Sequence, residues 1–169
     1  MNSNSLAGQG KVILVLGGAR SGKSSFAQSL AMEQSLPVTY LATALPIDEE
    51  MQRRIVHHRD TRPPVWKTVE APYSADAEVV ALCREEQFVI WDCVTVFLTN
   101  LIIEAKAEGK NEAEIEELIL RRIKVMLTRL EGCCGCLVIV SNEVGLGIVP
   151  EYPLSRTFRD LTGRVNQIL

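Results

Sequence analysis

The sequence has no excess of positive charge and no long hydrophobic run. Its 18 Lys and Arg residues are outnumbered by 21 Asp and Glu residues, which gives a formal net charge of −3. Because proteins that bind nucleic acid usually present a basic surface, we expect no nucleic-acid partner. The first apolar run, residues 12–16, is too short for a membrane span or a signal-peptide core. We therefore expect a cytoplasmic protein without a membrane span.

Cysteine and histidine are scarce, with five and two residues. An odd number of cysteines in a chain without an export signal predicts reduced thiols rather than a disulfide framework. Cys133, Cys134 and Cys136 are close in sequence, but a structural zinc site needs four ligands, and the cluster lacks a second pair at zinc spacing and a nearby histidine. We expect no metal there, and we expect Cys83 and Cys93 to be small core residues.

Strands and helices are predicted to alternate along the chain, whose 169 residues suit one domain. We expect residues 1–10 to form a disordered tail and residues 11–169 to form that domain. Apolar runs predict the strands, and periodicity of i, i+3, i+4 predicts the helices. The predicted strands are 12–16, 38–43, 66–69, 88–92 and 137–140, and the predicted helices are 23–34, 48–58, 75–86, 94–107, 112–131 and one from Leu154. This pattern predicts an α/β fold with a mostly parallel sheet and helices on both faces.

A glycine-rich motif follows the first predicted strand. Residues 17–24 read G-x-x-x-x-G-K-S between a strand and a helix, which is the sequence and the context of a phosphate-binding P-loop. Gly17 and Gly22 let backbone N–H groups turn toward phosphate oxygens, and the start of the helix presents its positive dipole end to the same anion. We expect Lys23 to reach the β and γ phosphates and Ser24 to hold Mg²⁺. The predicted fold is therefore that of a P-loop NTPase.

Three further polar clusters follow predicted strands. Thr43, Asp92 and the pair Asn142-Glu143 each come after an apolar run. Because ligands bind at the carboxyl ends of parallel strands, we expect these clusters to meet the P-loop at one edge of the sheet. Asp92 closes residues 88–91 as the carboxylate of a Walker B strand does, which favours a role in holding Mg²⁺ over that of a turn residue. Glu143 has three interpretations: a ligand of a water molecule, a base, or a cap for the loop that follows.

Two adjacent histidines, His57 and His58, lie on the helix predicted to begin at Asp48. A polyphosphate could dock beside a neutral imidazole able to attack phosphorus, because several cations surround the pair. A solvated basic helix end, stabilised by the helix dipole, explains the same pattern equally well. The spacing does not choose between the two interpretations. The surrounding arginines are Arg53, Arg54, Arg59 and Arg62.

Together these strings resemble one enzyme family over almost the whole chain. The P-loop is generic, but the histidine-bearing helix and residues 141–150, Ser-Asn-Glu-Val-Gly-Leu-Gly-Ile-Val-Pro, are not. They look like the bifunctional adenosylcobinamide kinase/adenosylcobinamide-phosphate guanylyltransferase of cobalamin biosynthesis. Further matching strings lie at residues 40–44, 48–62, 66–70, 92–95, 100–101 and 158–166.

The resemblance implies an enzyme that uses GTP and ATP as substrates together with Mg²⁺. A nucleoside triphosphate first phosphorylates the aminopropanol hydroxyl of adenosylcobinamide. GTP then donates GMP, through a covalent histidine intermediate, to adenosylcobinamide phosphate. The guanylylated histidine of the family falls on His57, while Lys23 holds the charge of the leaving pyrophosphate. The choice between ATP and GTP in the kinase step, and the residues that contact the corrinoid, stay open.

The resemblance also implies an assembly and a set of nucleotide contacts. The family is trimeric, with active sites near subunit contacts. Its members continue past the position of Leu169 with the rest of a helix and another strand, so we expect weaker stability or assembly if the chain is truncated. Two alternatives stay open: a P-loop kinase for another small molecule, in which His57 has no covalent role, and a nucleotide-dependent switch without group transfer. The expected nucleotide contacts are Gly17, Gly18, Ala19, Arg20, Ser21, Gly22, Lys23, Ser24, Ala42, Thr43, Ala44, Arg59, Asp60, Thr61, Arg62, Glu70 and Asp92.

Overall fold

Strands and helices alternate in the computed structural model of the protein, which describes residues 10–169. The predicted disordered tail, residues 1–10, lies outside the described residues except for Gly10. All eleven predicted elements are present, and their ends differ from the prediction by three residues or fewer. The elements are β1 (Val12–Gly17), α1 (Lys23–Met32), β2 (Val38–Ala42), α2 (Glu49–Asp60), β3 (Lys67–Glu70), α3 (Ala75–Cys83), β4 (Phe88–Asp92), α4 (Val94–Ala107), α5 (Glu112–Leu130), β5 (Cys136–Asn142) and α6 (Pro153–Ile168).

The five strands form one sheet in the spatial order β1-β5-β4-β2-β3, and every neighbouring pair is parallel. β5 lies between β1 and β4, so that Gly17 pairs with Asn142 while Val140 pairs with Asp92. Asp92 in turn pairs with Ala42 on β2. The carboxyl ends of these four strands therefore lie side by side. The predicted α/β fold with a parallel sheet is confirmed, and strand pairing alone brings the polar clusters to one edge.

Helices cover both faces of the sheet. On one face α3, α4, α5 and α6 enclose the larger core, in which Trp91 and Phe97 are fully buried. On the other face α1 covers a smaller core that contains Tyr40, Ile90 and Val138. Neighbouring residues of a strand point to opposite faces, which is why Ile90 and Trp91 belong to different cores. None of the helices described is both long enough and apolar enough to cross a membrane.

α2 packs only loosely on the fold, because none of its residues is buried and only Met51, Ile55 and His58 are half-buried. The side chain of Asp48 caps the helix by accepting a hydrogen bond from the N–H of Met51 at 2.7 Å. Two exposed ion pairs, each between residues one helical turn apart, stabilise the helix by a few tenths of a kcal/mol each. They join Arg53 to Glu49 at 3.5 Å and Arg54 to Glu50 at 4.0 Å. The stability of this helix is thus mainly local.

The five cysteines are free thiols. Within the described part of the chain, no group of three or more Cys, His, Asp or Glu residues is placed to hold a metal ion. Cys83 is buried in the larger core as predicted, whereas Cys93 is only half-buried. Cys93 follows the last residue of β4 and packs against the smaller core, in agreement with the prediction that it is a small core residue.

Candidate active site

The P-loop connects β1 to α1 and is shaped for an anion. Gly22 caps α1 with φ of 86°, a left-handed conformation that glycine adopts without strain. At Gly17 a Cβ atom would lie 3.0 Å from the hydroxyl oxygen of Ser21, so the loop closes tightly there. Lys23 is buried, and its Nζ donates a hydrogen bond to the carbonyl oxygen of Gly18 at 2.5 Å. The ammonium group therefore lies at the loop, where it has further donors for phosphate oxygens.

β5 brings a second polar cluster beside the P-loop. The backbone N–H of Glu143 donates to the carbonyl oxygen of Gly17 at 3.0 Å, next to the paired residue Asn142. The carboxylate of Glu143 accepts a hydrogen bond from the N–H of Gly145 at 2.6 Å. This contact is the loop cap, one of the three interpretations of Glu143. The Asn142 amide donates to the hydroxyl of Thr95 at 2.8 Å and so links β5 to the first turn of α4.

Asp92 ends β4 at the same edge, and one of its oxygens is held. The Tyr40 hydroxyl donates to Oδ2 of Asp92 at 2.5 Å. Burial and the neighbouring charge of Asp92 raise the pKa of Tyr40, so the phenol keeps its proton. The guanidinium carbon of Arg62 lies 3.4 Å from the centroid of the Tyr40 ring. Because Arg62 comes directly after the C-cap of α2, this stacking fastens the end of that helix to the sheet.

Buried hydrogen bonds fix the segment that follows β2. The hydroxyl of the fully buried Thr43 donates to the carbonyl oxygen of Cys93 at 2.9 Å and accepts from its N–H at 3.1 Å. The amide of Asn100 on α4 donates to the carbonyl oxygens of Thr43 and Pro72, at 2.9 and 3.0 Å. Burial raises the pKa of the Cys93 thiol. The hydroxyl of Thr43, predicted as a nucleotide contact, is thus engaged within the protein.

The two histidines lie on the surface of α2. His57 is exposed and His58 half-buried, with their ring centroids 6.1 Å apart. His57 borders an open depression of about 640 Å³ that is lined by α2 residues only. Within residues 10–169, no hydrogen bond or ion pair joins α2 to the P-loop. No polar bond therefore joins His57 to the P-loop in this conformation of the described residues.

The predicted site residues divide into two groups. Strand pairing and the loops after β1 and β2 gather the P-loop, residues 42–44, Glu70 and Asp92 at the sheet edge. The second group lies on α2 and at its C-terminal end and consists of His57, Arg59, Asp60 and Thr61. Arg62 connects the two groups, because it follows α2 in sequence and stacks on the sheet residue Tyr40.

Ser24 and Asp92 are the residues predicted to hold Mg²⁺. The hydroxyl of Ser24 and Oδ1 of Asp92 make no hydrogen bond in the part of the chain that the structure describes. Hydroxyl and carboxylate oxygens are hard donors of the kind that Mg²⁺ accepts, usually together with substrate phosphates. Ser24 stands in the first turn of α1, directly after Lys23. The chemistry of this donor set fits a magnesium ion bound with a nucleotide.

Two side chains that hold the site, Asn100 and Tyr40, had no role predicted from the sequence. The sequence does contain a signal for Asn100, because its amide lies among the apolar residues of α4, between Phe97 and Leu101. No comparable signal marked Tyr40. An aromatic residue in an apolar strand is typical of a core, and its contact with Asp92 depends on how β2 pairs with β4.

The fold resembles that of a known ATPase. A prototypical ATPase from the type III secretion system of pathogenic bacteria superposes with a TM-score of 0.53 at 13% sequence identity, over 89% of this chain and 49% of that chain. This chain thus spans about half the length of that ATPase. At such low identity the likeness concerns the fold alone, and it agrees with a P-loop NTPase architecture.

Sequence similarity to three bacterial proteins is much higher. The bifunctional adenosylcobalamin biosynthesis protein CobU of Salmonella typhimurium is 41% identical over 162 residues, which cover 94% of this chain and 89% of that protein. CobU of Escherichia coli is 42% identical with the same coverage. CobP of Pseudomonas aeruginosa is 40% identical over 159 residues, covering 92% of this chain and 85% of that protein. Residues 13–169 match the family described as cobinamide kinase / cobinamide phosphate guanyltransferase. The protein therefore belongs to the cobinamide kinase / cobinamide phosphate guanyltransferase family.

Proposed function

We propose that the protein is a bifunctional enzyme that phosphorylates adenosylcobinamide and then converts the phosphate into adenosylcobinamide-GDP. The observation that carries this proposal is the meeting of the P-loop with Asp92 and Asn142 at one sheet edge, to which Arg62 fastens the helix that bears His57. Membership of the family supplies the substrate class, cobinamide and its phosphate. The P-loop supplies the means to hold a nucleoside triphosphate.

In the kinase step the P-loop positions the triphosphate. Its N–H groups and Lys23 hold the phosphates while the substrate hydroxyl oxygen attacks the γ-phosphorus. The new O–P bond forms as the bond from the γ-phosphorus to the bridging oxygen breaks, and a nucleoside diphosphate leaves. Ser24 and Asp92 would hold a Mg²⁺ ion, which would neutralise part of the phosphate charge. Positioning and charge stabilisation are the main requirements of such a step.

In the guanylyl transfer step His57 is the nucleophile. A nitrogen of its imidazole attacks the α-phosphorus of GTP, an N–P bond forms, and the bond to pyrophosphate breaks. Lys23 and the loop N–H groups hold the charge of the leaving pyrophosphate. An oxygen of adenosylcobinamide phosphate then attacks the same phosphorus, and the N–P bond breaks. The product is adenosylcobinamide-GDP, and His57 is restored.

This attack requires His57 to approach the P-loop. No side chain of α2 is fully buried, and of its apolar residues only Met51 and Ile55 are half-buried, so displacing the helix would uncover a limited apolar surface. We propose that α2 closes over bound GTP, with the arginines at its C-terminal end meeting the phosphates. We also propose a trimer with active sites near subunit contacts, which the resemblance implies.

The test is incubation with GTP labelled at the α-phosphate. Label should stay on the denatured protein, survive alkali and be lost in acid, as a phosphoramidate is. His57→Ala should abolish the label, and His58→Ala is the matched control because it removes the neighbouring imidazole from the same helix. Retention of full labelling in His57→Ala would refute the assignment of His57.

A second assay separates the enzyme from the two alternatives. Incubation with adenosylcobinamide, ATP and GTP should yield adenosylcobinamide-GDP. A kinase for another small molecule would consume ATP only with its own substrate, and a nucleotide-dependent switch would transfer no group, so neither would form adenosylcobinamide phosphate or adenosylcobinamide-GDP. The absence of adenosylcobinamide-GDP would overturn the proposed bifunctional activity.

A further inference from the structure

Asp92 is held by a side chain that lies neither in the P-loop nor on α2. Tyr40 pairs with Ile90 in the sheet, two residues before Asp92 on β4. Alternate residues of a strand point to the same face, so Tyr40, Ile90 and Asp92 all face α1. The ring of Tyr40 reaches along β4 toward the sheet edge, where its hydroxyl meets Oδ2 of Asp92 at 2.5 Å.

The hydroxyl of Tyr40 is a donor in a fixed position. The residue is 2% exposed and packs in the smaller core with Ile90 and Val138. Arg62 covers the ring, with its guanidinium carbon 3.4 Å from the centroid. A side chain locked by packing on this scale has one rotamer and holds its polar atom where the fold puts it. The carboxylate of Asp92 is thereby oriented by a rigid neighbour.

We infer that Tyr40 is a positioning residue for the reaction: it holds Oδ2 of Asp92 so that Oδ1 stays available to the magnesium ion of the bound nucleotide. Without that hydrogen bond the carboxylate group is free to rotate about its Cβ–Cγ bond. Outer residues that orient a metal ligand are worth 10- to 100-fold in metal affinity or activity. The inference rests on the proposed role of Asp92.

The same ring gives Asp92 and α2 a shared support. Arg62 stacks on Tyr40, and Arg62 directly follows the C-cap of the helix that carries His57. A variant that keeps the ring but removes the hydroxyl therefore separates the two contacts. Tyr40→Phe is that variant, since it keeps the surface under Arg62 and loses only the hydrogen bond to Asp92.

Thr39→Val is the matched control. Thr39 is the neighbouring residue on β2 and is equally buried, and its hydroxyl donates to the side chain of Gln87 at 2.7 Å. Its side chain points to the opposite face from Tyr40. Thr39→Val therefore removes a buried hydroxyl hydrogen bond from the same strand without touching Asp92, and it reports what general destabilisation does to the assay.

The measurement is Mn²⁺ binding to the full-length chain, followed by electron paramagnetic resonance in the presence of a non-hydrolysable GTP analogue. Tyr40→Phe should raise the dissociation constant of Mn²⁺ about tenfold or more. Thr39→Val should change it less than about twofold. In the kinase assay, the Mg²⁺ concentration for half-maximal rate should rise in parallel in Tyr40→Phe, whereas kcat at saturating Mg²⁺ should change much less.

Two substitutions at Asp92 make the outcomes distinguishable. If Asp92→Asn weakens Mn²⁺ binding but Tyr40→Phe behaves like Thr39→Val, the inference about Tyr40 fails and the role of Asp92 stands. If Asp92→Asn leaves the dissociation constant unchanged, the proposed metal role of Asp92 fails too. Asp92→Glu keeps the charge but lengthens the side chain by one methylene, which displaces the carboxylate from its place beside the Tyr40 hydroxyl, so it should also weaken Mn²⁺ binding. Binding at the native strength in Asp92→Glu would show that the position of the carboxylate does not matter.

Discussion

Replacing Asn100 by alanine tests whether α4 holds the segment after β2. The amide of Asn100 donates to the carbonyl oxygens of Thr43 and Pro72 at 2.9 and 3.0 Å, and Asn100 is only 9% exposed. Each acceptor left without a partner costs about 1–3 kcal/mol, so losing both should lower the free energy of unfolding of Asn100→Ala by roughly 2–6 kcal/mol. At about 2–4 °C per kcal/mol for a chain of this length, Tm should fall by roughly 4–24 °C.

Urea unfolding followed by circular dichroism measures this loss. Asn100→Asp is the sharper variant, because it keeps the shape of the side chain but turns a donor group into an acceptor facing two carbonyl oxygens. It should be at least as destabilising as Asn100→Ala. The control is Thr99→Ala on the same helix, whose exposed hydroxyl donates only to the carbonyl oxygen of Thr95, and it should change stability by less than about 0.5 kcal/mol. A loss in Asn100→Ala no larger than in Thr99→Ala would refute the reasoning.

Two further predictions concern the core beneath the site. Burial raises the pKa of the Cys83 thiol from 9.0 to about 12, so the folded protein keeps a proton that the unfolded chain loses, and stability should fall between pH 9 and pH 12. Cys83→Ala should reduce the slope of the free energy of unfolding against pH by up to about 1.4 kcal/mol per pH unit. Urea titrations at pH 8.5 and 10.5 measure this slope, and an unchanged slope would contradict the assignment. In Gly135→Ala the new Cβ would lie 2.9 Å from Cα of Cys83 and from the carbonyl oxygen of Glu85, so unfolding should become easier by roughly 1–3 kcal/mol. Gly163→Ala is the control on α6, because nothing lies within 4 Å of its Cβ position. Its Tm should stay level or rise, since alanine favours a helix more than glycine does. Equal losses of stability at both glycines would contradict the packing argument.

Local sequence patterns were sufficient to predict the strands and helices, and to predict the edge of the sheet at which the polar clusters meet. Strands such as β4 and β5 are apolar throughout, and α5 has both a strong helical period and a capping box at Asn111 and Glu114. The P-loop is a contiguous motif whose context lies in the same few residues. Because all strands are parallel, knowing where each strand ends was enough to predict that Asp92 and Asn142 lie on the side of the P-loop.

The sequence could not predict contacts that depend on which strands are neighbours. The hydrogen bond from Tyr40 to Asp92 exists because β2 pairs with β4, and no local sequence pattern specifies that strand order. The bond from Asn100 to Pro72 joins residues that are 28 positions apart. The sequence also could not predict where His57 lies relative to the P-loop, because that position depends on the orientation of a helix that has no buried residue.

The exposure of α2 has a consequence for how substitutions at its twelve positions can be interpreted. In a saturation mutagenesis experiment, most positions of a globular protein that tolerate few replacements are needed for core packing. Positions needed for binding or catalysis are then hard to tell apart from them. Outside the half-buried residues Met51, Ile55 and His58, the fold imposes little steric demand on α2, so an exposed position there that rejects most replacements does so because of what it binds or reacts with. Intolerance to mutation at the exposed positions of this helix therefore identifies residues that take part in binding or catalysis.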